Sequence, residues 1–127
     1  MDQPTPLETL LAYHRAWSGG DVEAAMSHVA EDVVCDAPAG RLAGREAFRA
    51  YMGPFIAMVT RYERLAAFGD DGSAVIVYDT DTRLVDGAPG AELVTVTGGR
   101  IRTMRLIFDR LPFDEARRRA SAEEPRG

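Results

Sequence analysis

The chain has 127 residues, the size of one ordinary domain whose single core buries roughly two thirds of the unfolded surface, so no second domain is expected. With 46% of residues hydrophobic and 28% charged, it lies far from the disordered, collagen-like and membrane classes. A formal charge of -5, with fifteen basic residues interleaved among twenty acids, disfavours nucleic acid as a partner, because neutralising phosphates needs a basic face. Cys35 is the only cysteine, which excludes an intrachain disulfide and gives no sign of an oxidising compartment. The opening residues MDQPTPLETLL have neither a charged leader region nor a long apolar run. No segment approaches the length of a membrane span, so the expectation is a cytoplasmic protein that does not engage membranes.

In chain order, Thr5, Pro6 and Glu8 form a capping box with proline at the first helical position, which predicts a helix. Its apolar stripe reads Leu7, Leu10, Leu11, His14 and Trp17, with Tyr13 at the edge, and Gly19 and Gly20 suit its end. Asp21 caps a second short helix, VEAAMSHVA. A strand DVVCDAP follows, closed by Pro38, and a third helix opens near Gly44. Phe48, Tyr51, Met52, Phe55 and Val59 keep helical spacing in it, while Pro54, which has no N–H to donate, predicts a kink or an interruption.

Downstream the pattern changes to four runs, TRYERLAAF, AVIVYDTDTRLV, AELVTV and RIRTMRLIFD, separated by turn chemistry. The economical reading is an antiparallel meander, and helices first with sheet second means α+β. After Asp109 one or two helical turns precede a polar tail.

The order of elements, with YHRAWSGGDVEAAMSHVAEDVVCDAP early and GGRIRTMRLIFD late, resembles the NTF2-like superfamily, and within it the SnoaL-like and ketosteroid-isomerase-like proteins. The likeness covers residues 7 to 113 of a single domain spanning 1–127. It implies a cone-shaped fold, with N-terminal helices packed in the concave face of a curved, mixed, mostly antiparallel sheet. It also implies an apolar pocket and a homodimer associating through the sheet. Members include isomerases, polyketide cyclases, epoxide hydrolases and proteins with no chemistry, so fold alone does not choose a function.

By this resemblance Tyr13 falls where the isomerases hold a substrate oxyanion, and Glu92 where they have a protonated acid making a second such bond. Their general base precedes the proline that closes the first strand. Here Ala37 takes that place, with Asp36 one position earlier and on the opposite face of a regular strand. The epoxide hydrolases' acid in the last strand aligns with Leu106, and the histidine of the polyketide cyclases' later strands is missing, since none follows His28.

The remaining candidates are Asp79 and Asp81. In an extended strand they continue the row of Val75 and Val77, and carrying over the register that turns Glu92 inward puts that row on the concave face. Two acids in one dry cavity would split their affinities for protons, leaving a neutral acid beside an ionised base. Proton transfer next to a carbonyl, without a cofactor, would then fall to Asp79 or Asp81, with Tyr13 and Glu92 holding the enolate oxygen. Trp17, Phe48, Tyr51, Met52 and Phe55, with Val77, Val94, Met104, Leu106 and Phe108, are the expected lining for a small hydrophobic ligand. The alternative places Asp79 and Asp81 on a solvated rim, paired with Arg83 or another arginine.

His14 reads as a core histidine bonded to backbone in preference to a general base, and His28 as exposed. Two isolated histidines predict no metal site. Cys35 reads as a small buried hydrophobe. The competing readings are an acid/base isomerase or cyclase, a ligand carrier or assembly module without a working base, and, third, an epoxide hydrolase.

Overall fold

A computed structural model describes residues 3–123. The first helix, α1 (Pro6–Ser18), begins with the expected capping box: the Glu8 N–H donates to the Thr5 hydroxyl, and the Thr5 N–H donates to the Glu8 carboxylate. Asp21 caps α2 (Val22–Met26) by accepting from the Ala24 N–H at 3.0 Å. This helix is shorter than its apolar pattern suggests. The His28 carbonyl already accepts from the Ile101 N–H, which draws the chain into strand β1 (Val29–Ala37). Strand β2 (Gly40–Ala43), not among the expected elements, folds back on β1 through the Pro38 turn.

Helix α3 (Arg45–Met58) runs through Pro54 without interruption. The meander then appears as expected, in β3 (Val59–Gly69), β4 (Ser73–Thr82), β5 (Gly90–Thr97) and β6 (Arg100–Phe108). Helix α4 (Leu111–Glu123) is three turns long, where one or two turns and a polar tail were expected; the tail from residue 124 lies outside the described residues.

The six strands form one curved, unclosed sheet in the order β2-β1-β6-β5-β4-β3. Every neighbouring pair is antiparallel except β1 with β6, so the sheet is mixed. Register shifts in β1/β6, β3/β4 and β5/β6 are bulges of the kind that bend a sheet. Helix α1 lies in the concave face across β3 to β6, while α3 covers β1 and β2. The core between helices and sheet is built on Leu10, Tyr13, Trp17, Phe48, Ile76 and Ile101. No helix among the described residues is long and apolar enough to cross a membrane.

Register decides which acids enter this concavity. Ile76 stands opposite Glu92, Ala74 opposite Val94, and Tyr78 opposite Gly90. Residues directly opposite share a face, so Ala74, Ile76, Tyr78, Thr80 and Thr82 point inward with Glu92. Val75, Val77, Asp79 and Asp81 consequently point outward, which corrects the expectation that they line the concave face. The expected register was off by one residue, and in a strand a one-residue slip moves every side chain to the other face.

Candidate functional site

Helix α1 carries a face buried at Thr9, Leu10, Tyr13, His14 and Trp17, with Leu7 and Leu11 only half-buried. Tyr13 is therefore at the centre of the stripe, not at its edge. His14, 2% exposed, makes no backbone bond of the kind expected; its ring is bonded to side chains on two strands. Its Nε2 lies 2.8 Å from Oε1 of the fully buried Glu92, and its Nδ1 lies 2.9 Å from the Tyr62 hydroxyl. The Tyr78 hydroxyl donates to the other Glu92 oxygen at 2.9 Å.

A continuous polar chain thus crosses the concavity from Tyr62 on β3, through His14 on α1 and Glu92 on β5, to Tyr78 on β4. Both Glu92 oxygens are engaged, one facing His14 Nε2 and the other accepting from the Tyr78 hydroxyl. The imidazole can either accept from or donate to the rotating Tyr62 hydroxyl. Burial first, and the Glu92 carboxylate second, push the Tyr62 phenol up to about 12 and hold the Tyr78 phenol well above its ordinary range. Tyr78 therefore remains a donor to Glu92. Aromatic rings enclose the pair: the rings of Trp17 and Tyr78 lie 5.0 Å from the His14 ring, between centres.

The Tyr13 hydroxyl does not join this chain. It is buried and meets no hydrogen-bond partner among the described residues, as is true of Thr9 Oγ1 and Trp17 Nε1 one turn away on either side. Burial, with Glu92 and Cys35 nearby, drives the Tyr13 phenol well above its usual range. Burial likewise pushes the Cys35 thiol up to about 12, consistent with an inert core cysteine.

Beside the polar chain lies a cleft of about 440 Å³ between α3, the loop before β5, the end of β6 and α4. Five of the ten expected lining residues border it: Tyr51, Met52, Phe55, Leu106 and Phe108. Trp17, Phe48, Val94 and Met104 are buried in the core instead, and Val77 is on the outer face. Tyr78 forms part of the cleft wall, so it belongs to both the cleft and the polar chain. Gly90, another wall residue, makes room for it: a Cβ there would come within 2.9 Å of the Tyr78 hydroxyl and Cζ. Phe113, Arg110 and Arg117 complete the rim from the C-terminal segment.

Sequence reasoning missed Tyr78, the side-chain role of His14 and these C-terminal residues. The signal for Tyr78 was available: it shares the row of Ile76, the row without charges. The partner of His14, 78 residues distant in the chain, had no local signal.

Asp79 and Asp81 sit outside the cleft, gripped by one arginine. Arg61 Nη2 donates to Asp79 at 2.6 Å and Arg61 Nε donates to Asp81 at 2.7 Å. The solvated-rim alternative thus describes them, with Arg61 as the partner in place of Arg83. Asp81 also accepts from the Gly87 N–H at 2.7 Å, which fastens the loop between β4 and β5. Arg61, followed by that N–H, holds the Asp81 carboxyl below its ordinary range. Asp36 is on the outer face too, 2.8 Å from Arg41 Nε and near Arg105. No bulge turns it inward. His28 is half-buried, not exposed, and burial lowers its affinity for a proton. Among the described residues no three His, Cys, Asp or Glu side chains converge as a metal site would require.

The SnoaL-like domain family model matches residues 10–104. A protein from Kribbella flavida DSM 17836 is 50% identical over 94% of this chain and 99% of its own, with a TM-score of 0.90. An NTF2-like protein of unknown function from Cytophaga hutchinsonii ATCC 33406 is 19% identical over 89% of this chain and 97% of its own, with a TM-score of 0.72. A protein with a ketosteroid isomerase-like fold from Catenulispora acidiphila DSM 44928, in complex with trimethylamine, is 22% identical over 83% of this chain and 87% of its own, with a TM-score of 0.66. The last two similarities speak to the fold alone, and they make it NTF2-like. Among curated proteins none matches the chain by sequence.

Proposed function

We propose that this chain, which belongs to the SnoaL-like domain family, binds a small, mostly apolar carbonyl compound in the cleft and moves a proton on it through Tyr78. The observation that carries the reading is that the chain Tyr62–His14–Glu92–Tyr78 ends on the wall of an apolar cleft. As the Tyr78 oxygen takes a proton from the carbon beside the ligand carbonyl, its own proton passes to Glu92; the reverse transfer returns a proton to the same or another carbon. An isomerase or cyclase needs this exchange and no cofactor. Tyr51, on the helical wall of the cleft, is assigned the hydrogen bond to the ligand oxygen. Glu92 replaces Asp79 and Asp81 as the acceptor of the proton.

Water exclusion supports this assignment, since His14 and Glu92 interact in a low-dielectric interior where a relay loses little to solvent. The test is wash-in of solvent deuterium into a bicyclic ketone such as tetralone. Wild-type protein should accelerate it, and Glu92→Gln and Tyr78→Phe should each lower the rate by about a hundredfold or more while retaining binding. Equal wash-in by wild type and both variants would remove the catalytic assignment.

A carrier without chemistry is the second reading, favoured by Ala37 and Leu106 in place of family acids and by the complete mutual satisfaction of His14 and Glu92. It predicts binding without wash-in. An epoxide hydrolase finds less support: the resemblance implies an arginine and two aspartates in its site, and here the arginine held by two aspartates, Arg61 with Asp79 and Asp81, lies outside the cleft.

The proposal includes a homodimer through the outer face of the sheet. Phe68, Val75 and Leu93 stand in one row across β3, β4 and β5, and Val77, Ala91 and Ile107 form the next. Phe68, Val77, Leu93 and Ile107 are exposed, giving an apolar patch suited to a second copy. Sedimentation of wild type against Leu93→Arg tests it: wild type should sediment as a dimer and the variant as a monomer, whereas a monomeric wild type would refute the dimer.

A further inference from the structure

The rim of the cleft differs from its walls. Among the described residues three charged side chains line it: Arg110 just before α4, with Asp114 and Arg117 on the helix. Two positive groups and one negative leave a net charge of +1. Each arginine meets Asp114 through a single nitrogen at 3.5 Å, and both guanidiniums are about half exposed. Contacts this long and this wet hold an arginine weakly. Most of the five N–H donors on each guanidinium remain free.

The two cations are seated where the apolar wall meets solvent. The Arg117 guanidinium carbon lies 6.0 Å from the centre of the Phe113 ring, and that ring meets Phe108 edge-on at 6.0 Å. Their field also reaches inward. Burial pushes the Tyr51 phenol up, with Cys35 adding to it, while Arg110 and Arg117 pull it back down. The formal charge of -5 disfavours anions on average over the chain, whereas the charged side chains at this rim sum to +1.

We propose that the ligand is a ring-containing monocarboxylic acid, its apolar body between Tyr51, Phe55 and Phe108 and its carboxylate at the rim between Arg110 and Arg117. The inference rests on the cleft being the binding site, as proposed above, and adds the charge of what it binds. A carboxylate completes two guanidiniums that Asp114 only partly engages, and planar pairing of this kind is what arginine does best. Asp114 then competes with the ligand and sets how tightly an acid is held.

Calorimetric titration of the full chain with naphthoic acid and with its neutral primary amide tests this directly. The acid should bind about tenfold more tightly than the amide, the size of effect a partly solvated charge-assisted contact gives. Arg110→Gln and Arg117→Gln should each remove most of that preference, and Asp114→Asn should increase it several-fold. Arg118→Gln, the same change of charge one residue along the helix but off the cleft, should leave it unchanged. Equal binding of acid and amide, or equal losses in Arg117→Gln and Arg118→Gln, would overturn the carboxylate assignment and leave the cleft in place as a binding site. Failure of both compounds to bind wild type would overturn the cleft reading and this inference with it.

Discussion

Glu92 and Asp79 lie on neighbouring strands of one sheet and have opposite surroundings. Glu92 faces inward, has no exposed surface, and is bonded to a histidine and a tyrosine. Asp79, with Asp81, faces outward and shares Arg61 in partial contact with water. The chemistry of the side chains is nearly the same. Strand parity alone sends one carboxylate into a low-dielectric interior, where its partners matter, and the others to a surface, where solvent screens them.

The largest expected effect of substitution is therefore at the inner pair. Replacing Glu92 by alanine leaves His14 and Tyr78 without their acceptor, and each buried donor left unsatisfied costs about 1–3 kcal/mol. Urea denaturation would measure it. A loss no greater than that of Arg61→Gln would erase the distinction between inside and outside.

Next comes Gly90→Ala, which places a methyl group 2.9 Å from the end of the Tyr78 ring. Overpacking a rigid buried ring costs about 1–3 kcal/mol, and the displaced hydroxyl should weaken both the bond to Glu92 and any binding in the cleft. Unchanged melting and unchanged ligand titration would contradict the close packing of wall and relay.

A smaller effect separates the two regions by pH. The Tyr62 phenol has its folded-state value raised to about 12 from 10.0, by burial and then by Glu92. A raised value stabilises the fold fully below pH 10 and loses that contribution as pH rises toward 12. Tyr62→Phe should flatten part of the alkaline decline in melting temperature. Asp81 has the opposite sign: Arg61 and the Gly87 N–H lower its value, so its contribution is complete above the ordinary aspartate range and fades only in acid.

The smallest effect is expected from Arg61→Gln at neutral pH. It should barely move the melting temperature, yet release Asp81 and quicken amide hydrogen exchange in residues 83–88, of which Leu84 and Ala88 border the cleft. Exchange equal to that of wild type there would show that the outer cluster does not position the loop.

The sequence made the helix starts legible where a capping side chain marks them, as Thr5 and Asp21 do, and the meander legible where turn residues separate apolar runs. It concealed β2, whose four residues carry little alternation, and the full length of α4, whose polar surface disguises the Phe113 and Ala116 contacts. Glu92 was placed inward by the resemblance to the isomerases' second oxyanion donor, and the register puts Val94 on the same face. Asp79 and Asp81 were misplaced because the loop before β5 does not reveal its register, and the valine row looked as apolar as the Ile76 and Tyr78 row. The two charges in the valine row were the better guide, since an uncompensated pair of carboxylates has a large cost of burial. The bond from His14 to Glu92 joins distant parts of the chain, and only the fold brings them together.

Tyr78 as the link between cleft and buried pair is the central claim, and the ring resonances of His14 test it most directly. With nitrogen-labelled histidine, adding tetralone should shift the His14 ring signals in wild type, because a ligand on the Tyr78 hydroxyl alters the Glu92 bond that His14 shares. In Tyr78→Phe the same occupancy should leave them nearly still. Ring signals that do not move in wild type while tetralone is bound would mean that the buried pair does not sense the cleft, and the relay would have to be abandoned.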